Sequence, residues 1–486
     1  MSALNSKRNF TFNVLAISVG QFLSLVINFF TVTLTARYLG VEDYGNYNYL
    51  LSIVFIASKL TDLGLSNIVF RESSKHPDDY TELNLAITIR LIVFLIIGLL
   101  LNIVLLLVLK FDLSKIILTN IFFLATIFSS RFMIFRDILD IPFKVNLQMI
   151  YSNIFSNLDN LLFLALIIIM PFIEISLKYV IISFVVSSIP GFVLSLFFLN
   201  RKYNFSYRPQ IKNLLWVIRE SLPLAGFLVF ITIFNQIDIL LLSLMDSEYS
   251  TGIYAVASRL VMPLTILPTA IATTFFPKVV SNFNNKRDNN FLYNLINKIL
   301  FVFSISFSLV VTFNAESIIT TLFGLQYVLS AQPMIFLIWS CIFLFFCYVS
   351  LDFFTADGKQ ETNFMFSILI VSVLITILLP VIPRYSYNGA AFAKLLVSVI
   401  GTIFIIINLK KLNIRPQFIN HNIIGWLIIN LFSCYFLSYL PFILYLIIAP
   451  FALIISAVLL KCFSESELRT ILEKINKEKW AGLLIR

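Results

Sequence analysis

The sequence predicts an all-α polytopic membrane protein with about 14 transmembrane helices, and composition, run length and the placement of basic residues support this. Of the 486 residues, 59% are hydrophobic and 12% are charged, and the mean hydropathy is +0.94. A soluble globular domain carries about twice that charge. The apolar runs approach the ~20 residues that a spanning helix needs. Barrel strands would be ~10 residues long and would alternate in polarity.

Each apolar run is expected to cross the membrane once, and the polar stretches between the runs are too short for a soluble domain. The fifth run is the most polar, because asparagines and an aspartate occupy its first half. The predicted spans are 11–36, 45–69, 83–108, 115–135, 147–170, 175–199, 219–245, 252–276, 297–323, 332–354, 363–382, 387–408, 421–440 and 443–461.

The basic residues predict the orientation of these helices. With the N-terminus inside, the inner loops and tails hold 26 of the 35 Lys and Arg residues, including Arg131 and Arg136, and the outer loops hold five. Inner loops of membrane proteins carry such an excess. The sequence therefore predicts a multi-pass protein of the cell inner (cytoplasmic) membrane with both termini cytoplasmic. The net charge of +10 is interpreted as this topology signal and not as a nucleic-acid interface.

An internal repeat organises the chain. Gly45-Asn46-Tyr47 begins the second run, and Gly252-Ile253-Tyr254 begins the eighth, 207 residues later. Six spans in each copy predict two lobes in a parallel pseudo-repeat, a plan found in transporters. Two helices and a cytoplasmic amphipathic tail, which begins with a capping box, follow the lobes. The predicted domains are residues 1–207, 208–408, 409–463 (helices 13 and 14) and 464–486 (the tail).

Four cations fall inside apolar runs, where a charge costs at least ~2.5–3.5 kcal/mol and usually faces a partner or an aqueous cavity. They predict a pocket for an anionic substrate. The predicted cavity cations are Lys59, Arg90, Arg259 and Lys394.

Three acids accompany these cations, with predicted roles in gating or ion coupling. Asp62 lies three residues after Lys59, on the same helix face. Asp238 would lie at the depth of Arg259, forming an ion pair or gate. Asp159 is either a proton or sodium site or a partner for Arg90. Static salt bridges that only fix helix packing are the alternative for each pair.

Polar side chains form stripes on two of the predicted helices. Asn28 lies on the first span, and Asn153 and Asn157 lie on one face of the fifth. Such groups either contact sugars or hydrogen-bond neighbouring helices.

No catalytic motif is present, and the sequence predicts a protein that is not an enzyme. The four cysteines and two histidines lack metal-ligand or disulfide spacing. We expect no metal and no cofactor, beyond coupling to H⁺ or Na⁺. Prolines such as Pro190 and Pro263 predict kinks that a moving lobe could use.

Two stretches resemble a known family. ARYLGVEDYGNYNYLLSIVFIASKLTDLGLSNIVFRE, which ends at Glu72, resembles the opening motif of the polysaccharide (O-antigen and capsule) flippases, relatives of the lipid II flippases and MATE-type multidrug exporters. Ser221–Val279 resembles their seventh and eighth helices. The resemblance implies that an undecaprenyl-diphosphate-linked oligosaccharide moves from the inner to the outer leaflet by alternating access. It also implies substrate contacts for Lys59 and Arg259, although Lys lacks the bidentate phosphate grip of Arg.

The expected partners are the lipid-linked oligosaccharide, membrane lipids, a polysaccharide polymerase and a chain-length regulator. Two other functions stay open: a MATE-type cation-coupled multidrug exporter and a non-transporting membrane scaffold of polysaccharide assembly. Four buried cations argue against cationic drugs as cargo, and a scaffold would need none of them.

Overall fold

The computed structural model describes residues 2–76, 79–210, 214–268, 270–271 and 286–474. Within these ranges the regular structure is helical throughout, and ten helices are long and apolar enough to cross a membrane. The chain forms two compact units, Met1–Ala255 and Val256–Arg486. The predicted boundaries of the repeat lobes follow sequence similarity and stay predictions.

The first unit contains one very long helix followed by shorter ones. Its helices are α1 Ser2–Asp62, α2 Leu65–Lys75, α3 Thr81–Ile103, α4 Leu113–Phe128, α5 Phe135–Leu139, α6 Ile141–Val145, α7 Met149–Ile173, α8 Leu177–Tyr203 and α9 Leu214–Met245. A π-helical turn, Val104–Val108, extends α3. Helix α10, Glu248–Val261, begins in this unit and ends in the second.

The second unit continues with a 3₁₀ turn, Met262–Thr265, which contains Pro263. Its later helices are α11 Lys286–Phe323, α12 Ala331–Ala356, α13 Gln360–Leu409, α14 His421–Leu437, α15 Phe442–Leu459 and α16 Glu465–Lys474. The buried Trp426 donates its indole N–H to the carbonyl of Leu453 at 3.2 Å, which joins α14 to α15.

Three of the long helices each contain one residue with non-helical φ and ψ values: Asn314 in α11, and one residue each in α1 and α13, where the break falls between predicted spans. Helix α1 breaks at Gly40, with φ 78° and ψ 178°, and α13 breaks at Ser386, with φ 50° and ψ −137°. Helices α4 and α14 are shorter apolar helices than the ten. The predicted count of fourteen spans is therefore compatible with the structure but stays a prediction.

The second predicted span, 45–69, is not one continuous helix. Helix α1 ends at Asp62, and Leu63 and Gly64 both have positive φ values, 50° and 66°. A residue in this left-handed region cannot continue a right-handed helix. The helical course resumes as α2 at Leu65.

The segment between α4 and α7, residues 129–148, is not the exposed loop that its basic residues suggested. Phe132, Ile134 and Phe143 are buried at 0 or 1% exposure. The segment folds into two single-turn helices, α5 and α6, and two of its charged residues, Arg136 and Asp140, are buried in the first unit.

The tail begins with the predicted capping box, which the structure confirms. Ser464 N–H donates to Glu467 Oε2 at 2.7 Å, and Glu467 N–H donates to Ser464 Oγ at 3.3 Å. Glu467 also accepts from Lys298 Nζ at 2.8 Å, which fixes α16 to α11. The rest of the predicted tail, residues 475–486, lies outside the described residues.

The two copies of the repeat motif lie against each other through their glycines. A Cβ atom added to Gly45 would lie 1.8 Å from the carbonyl oxygen of Glu248, and one added to Gly252 would lie 2.0 Å from that of Val41. Small residues allow helix backbones to approach this closely. The repeat therefore forms a direct helix–helix contact in the first unit.

We expect Gly45→Ala to lower the free energy of unfolding by about 1–3 kcal/mol, because an added methyl group in a closely packed contact forces the backbones apart. The measurement is thermal unfolding of the purified protein in detergent. Gly425→Ala is the matched control, since nothing lies within 4 Å of a Cβ at that helical position. Equal melting temperatures for the two variants would contradict the contact.

Candidate functional site

Charged groups meet at the break between α1 and α2. We call Lys59, Asp62, Ser66, Arg90 and Ile134 the Asp62 cluster. Lys59 and Asp62 come from the last turn of α1, Ser66 from the first turn of α2 and Arg90 from the middle of α3. Ile134 belongs to the buried 129–148 segment, so the cluster joins four pieces of the first unit.

Arg90 is the centre of this cluster and has 0% exposure. Its guanidinium donates to Asp62 Oδ1 and to the carbonyl oxygen of Ile134. It also donates to Ser66 Oγ at 3.0 Å. A buried guanidinium needs such acceptors, because an unpaired buried charge is strongly destabilising. These contacts support the packing alternative for Arg90 more than the predicted substrate contact, which stays a prediction.

Lys59 lies farther from its carboxylate partner than Arg90 does, and its side chain is more exposed. Its Nζ lies 3.8 Å from Asp62 Oδ2, and 21% of its side chain is exposed. This is the contact that the three-residue spacing predicts. The Asp62 carboxylate is therefore shared by two cations, one wholly buried and one partly exposed.

A second group of charges, the Arg136 cluster, consists of the buried Arg136, Asp140 and Asp159 and the half-buried Arg131. Asp159 Oδ2 accepts from Ser130 Oγ at 3.2 Å and lies 3.8 Å from Arg136 Nη1. The alternative in which Asp159 pairs with Arg90 is therefore wrong, and the proton or sodium site stays a prediction. The pairing depends on the inward fold of residues 129–148, which brings Arg136 to Asp159, and no local sequence pattern indicates that partner.

Arg136 is almost completely buried, at 1% exposure. None of its three side-chain nitrogens has a hydrogen-bond partner among the described protein groups. Burial raises the pKa of Asp140, which lies between the spans, to about 6, with Arg136 and Lys144 opposing that rise. The cluster is close to electroneutral but incompletely hydrogen-bonded, so its charged groups depend strongly on one another.

Arg131 is the best-satisfied cation of the Arg136 cluster. Its Nε donates to Asn160 Oδ1 at 3.0 Å, and its Nη2 donates to the carbonyl oxygen of Asp159 at 3.0 Å. The guanidinium also lies 4.7 Å and 4.6 Å from the ring centres of Phe163 and Phe184. Such cation–π contacts favour Arg in a desolvated position.

The charges near the second copy of the repeat motif occupy separate units. Asp238 has 0% exposure and accepts from the hydroxyl group of Tyr254, the tyrosine of that motif. Arg259 is half-buried in the last turn of α10. Lys394 has 0% exposure on α13. The predicted ion pair between Asp238 and Arg259 stays a prediction.

Two of the three predicted sugar contacts, Asn153 and Asn157, lie where α1 and α7 pack against each other. Asn157 Nδ2 donates to the carbonyl oxygen of Gly20 at 3.1 Å, and its Oδ1 accepts from Ser24 Oγ at 2.9 Å. Asn153 packs on Gly20, and Asn28 is half-buried on α1. Asn157 thus serves helix packing, which is the alternative that the sequence analysis left open.

The sequence did not reveal that Arg136 and Asp140 are buried and that Arg131 is half-buried. The sequence did contain a sign that this segment is buried, because many large apolar residues lie among these charges: Phe132, Ile134, Phe135, Ile138, Leu139 and Ile141. An exposed loop seldom carries so many large apolar side chains.

We expect Asp159→Leu to cost about 3–5 kcal/mol of unfolding free energy, because it leaves Arg136 buried without its carboxylate. The double variant with Arg136→Met should recover most of that loss, since both charges are then removed. Glu220→Ala breaks the exposed pair with Arg71 and should change the free energy by only about 0–1 kcal/mol. Denaturant titration in detergent measures all three, and an unrecovered double variant would contradict the coupling.

Comparisons with known proteins agree with this architecture. A family model described as polysaccharide biosynthesis protein matches residues 10–283, which is more than half of the chain. The capsular polysaccharide biosynthesis protein CapF of Staphylococcus aureus is 22% identical over 385 residues, covering 77% of this chain and 92% of CapF.

Solved structures show the same fold at low sequence identity. The lipid II flippase MurJ in an inward closed conformation aligns with a TM-score of 0.76 at 17% identity, over 92% of this chain and 99% of MurJ. An inward-facing multidrug resistance MATE family transporter of the MOP superfamily aligns with a TM-score of 0.62 at 13% identity, over 82% and 99%. The chain is therefore a multi-pass membrane protein with the fold shared by MurJ and the MATE transporters, and it belongs to the polysaccharide biosynthesis protein family.

Proposed function

We propose that this protein is a flippase that moves undecaprenyl-diphosphate-linked oligosaccharide repeat units from the inner to the outer leaflet of the cytoplasmic membrane. Alternating access carries the substrate across, and H⁺ or Na⁺ drives the cycle. The product serves surface polysaccharide assembly. Both termini lie in the cytoplasm.

The observation that carries this proposal is the match of the polysaccharide biosynthesis family model to residues 10–283 in a chain with a transporter fold. A membrane transporter in polysaccharide biosynthesis has to move a saccharide or its lipid carrier. The similarity to CapF favours capsule over O-antigen as the final glycan. A polymerase and a chain-length regulator are the proposed protein partners.

The charges inside the protein fit this substrate chemically. A lipid diphosphate presents negative charge next to sugars and a long apolar chain, and it needs cations among apolar helices. Lys59 is partly exposed, and Arg259 is half-buried, so both retain some accessible surface. Intramembrane cations of this kind mark substrate pathways in many transporters.

A MATE-type multidrug exporter is the second candidate, favoured by the aligned MATE transporter fold. A cationic drug would be repelled by the same lysine and arginine side chains. A non-transporting scaffold of polysaccharide assembly is the third. Deletion and overexpression distinguish the three: a glycan defect indicates the flippase, and drug resistance without a glycan defect indicates the exporter. If neither a glycan defect nor drug resistance is observed, the scaffold is the remaining candidate.

We expect Lys59→Ala and Arg259→Ala each to reduce surface polysaccharide about tenfold or more, since a lost hydrogen bond to a charged group costs ~1.5–3 kcal/mol. Quantitative immunodetection of cell-surface glycan in a deletion strain measures this effect. Arg71→Ala is the control, because Arg71 is an exposed cation paired with Glu72 and Glu220.

Membrane abundance has to be equal for all variants. Wild-type glycan levels in both single variants and in the double variant would refute a role for these cations in transport.

A further inference from the structure

Three cations, Lys59, Arg90 and Lys144, share two carboxylates, those of Asp62 and Asp137, at the Asp62 cluster. Lys144 Nζ donates to Asp137, and the buried Arg90 donates to Asp62 and interacts electrostatically with Asp137. These contacts occupy both carboxylates. Lys59 is the remaining cation, and it reaches only the second oxygen of Asp62, at 3.8 Å.

We infer that Asp62 is a positioning residue, shared by Arg90 and Lys59, that holds Lys59 while no ligand is bound and releases it to an anionic head group. This exchange links binding of the anion to the helix break at Leu63–Gly64. The inference rests on the proposed function, because it assigns the diphosphate of the lipid carrier to Lys59. Arg90 is then a second positioning residue and not a substrate ligand.

Competition for the lysine follows from the geometry. An ammonium group has three donors, and a carboxylate oxygen at 3.8 Å is beyond the normal length of a hydrogen bond. A diphosphate carries more charge than one carboxylate and can approach Lys59 closely, since part of the lysine side chain is exposed. Asp62 therefore competes with the ligand for Lys59, and removing its charge strengthens anion binding.

The same carboxylate borders the helix break. Asp62 is the last residue of α1, and Leu63 and Gly64 follow with positive φ values. Arg90 holds Asp62 before the break and Ser66 after it. When an anion draws Lys59 away, Asp62 is left to Arg90 alone. The hydrogen bonds of Arg90 to Asp62 and Ser66 then hold the two sides of the helix break together more strongly.

The anion could come from a lipid diphosphate or from a free one, since both present the same charged group. Farnesyl diphosphate and inorganic pyrophosphate are suitable probes of the two sources. Binding of each to the full-length protein in nanodiscs is measured by thermophoresis at low salt, where interactions between charges are screened least.

We expect Lys59→Ala to weaken farnesyl diphosphate binding about tenfold and Lys59→Arg to keep it within about threefold. Asp62→Asn should tighten binding at least about threefold. In the double variant Lys59→Ala with Asp62→Asn, the Asp62 effect should vanish, because it acts through Lys59. Arg71→Ala is the control for a nonspecific effect of charge.

Amide hydrogen exchange reports on the helix break directly, which a binding affinity does not. Farnesyl diphosphate should slow exchange of the amides at residues 63–66 in the wild type but not in Lys59→Ala. Arg90→Lys keeps the charge but loses the forked contacts. It should speed that exchange in the free protein while affinity stays within about threefold.

Weaker binding by Asp62→Asn, or an equal Asp62 effect with and without Lys59, would overturn the inference. Wild-type affinity in Lys59→Ala would overturn it as well. Equal affinity for inorganic pyrophosphate would support the shared carboxylate but count against a lipid substrate. A wild-type protein that binds neither probe would refute both the inference and the proposed substrate.

Discussion

The buried guanidinium of Arg90 is the interaction on which the first unit depends most. It donates hydrogen bonds to Asp62 at the end of α1, to Ser66 at the start of α2 and to the carbonyl oxygen of Ile134. Moving a cation out of water costs several kcal/mol unless partners compensate for the lost hydration. The helix break, the inward-folded segment and α3 are therefore linked through one side chain.

A buried charge of this kind has different consequences from an apolar contact. Apolar helices in a membrane find no strong preference for one another over lipid, so polar groups and small residues decide which faces meet. In this protein the Asp62 cluster, the Arg136 cluster and the glycine contact between the repeat motifs serve that purpose. They differ from the exposed apolar surface of the first unit, where Phe172 is 87% exposed and Leu107 is 71% exposed.

The proposed transport function also depends on unequal burial of similar charges. Lys59 and Arg90 looked equivalent in the sequence, since both lie within apolar runs. In the structure Arg90 is fully enclosed and Lys59 is not. A cation that already has its acceptors stabilises the fold, whereas one with spare donors can bind an anion. The fold shared with MurJ and the MATE transporters does not itself determine which charges have spare donors.

The sequence by itself determined the all-helical membrane architecture and the family, because long apolar runs and two motif blocks are local patterns. The capping box at Ser464 and Glu467 was predictable for the same reason. Tertiary structure alone decided that Asp159 meets Arg136, that Arg90 meets Asp62, and that Asn157 joins α1 to α7. Those partners lie 23 to 133 residues apart in the chain. Helical periodicity describes neighbours three or four residues apart, and only the packed helices bring distant charges together.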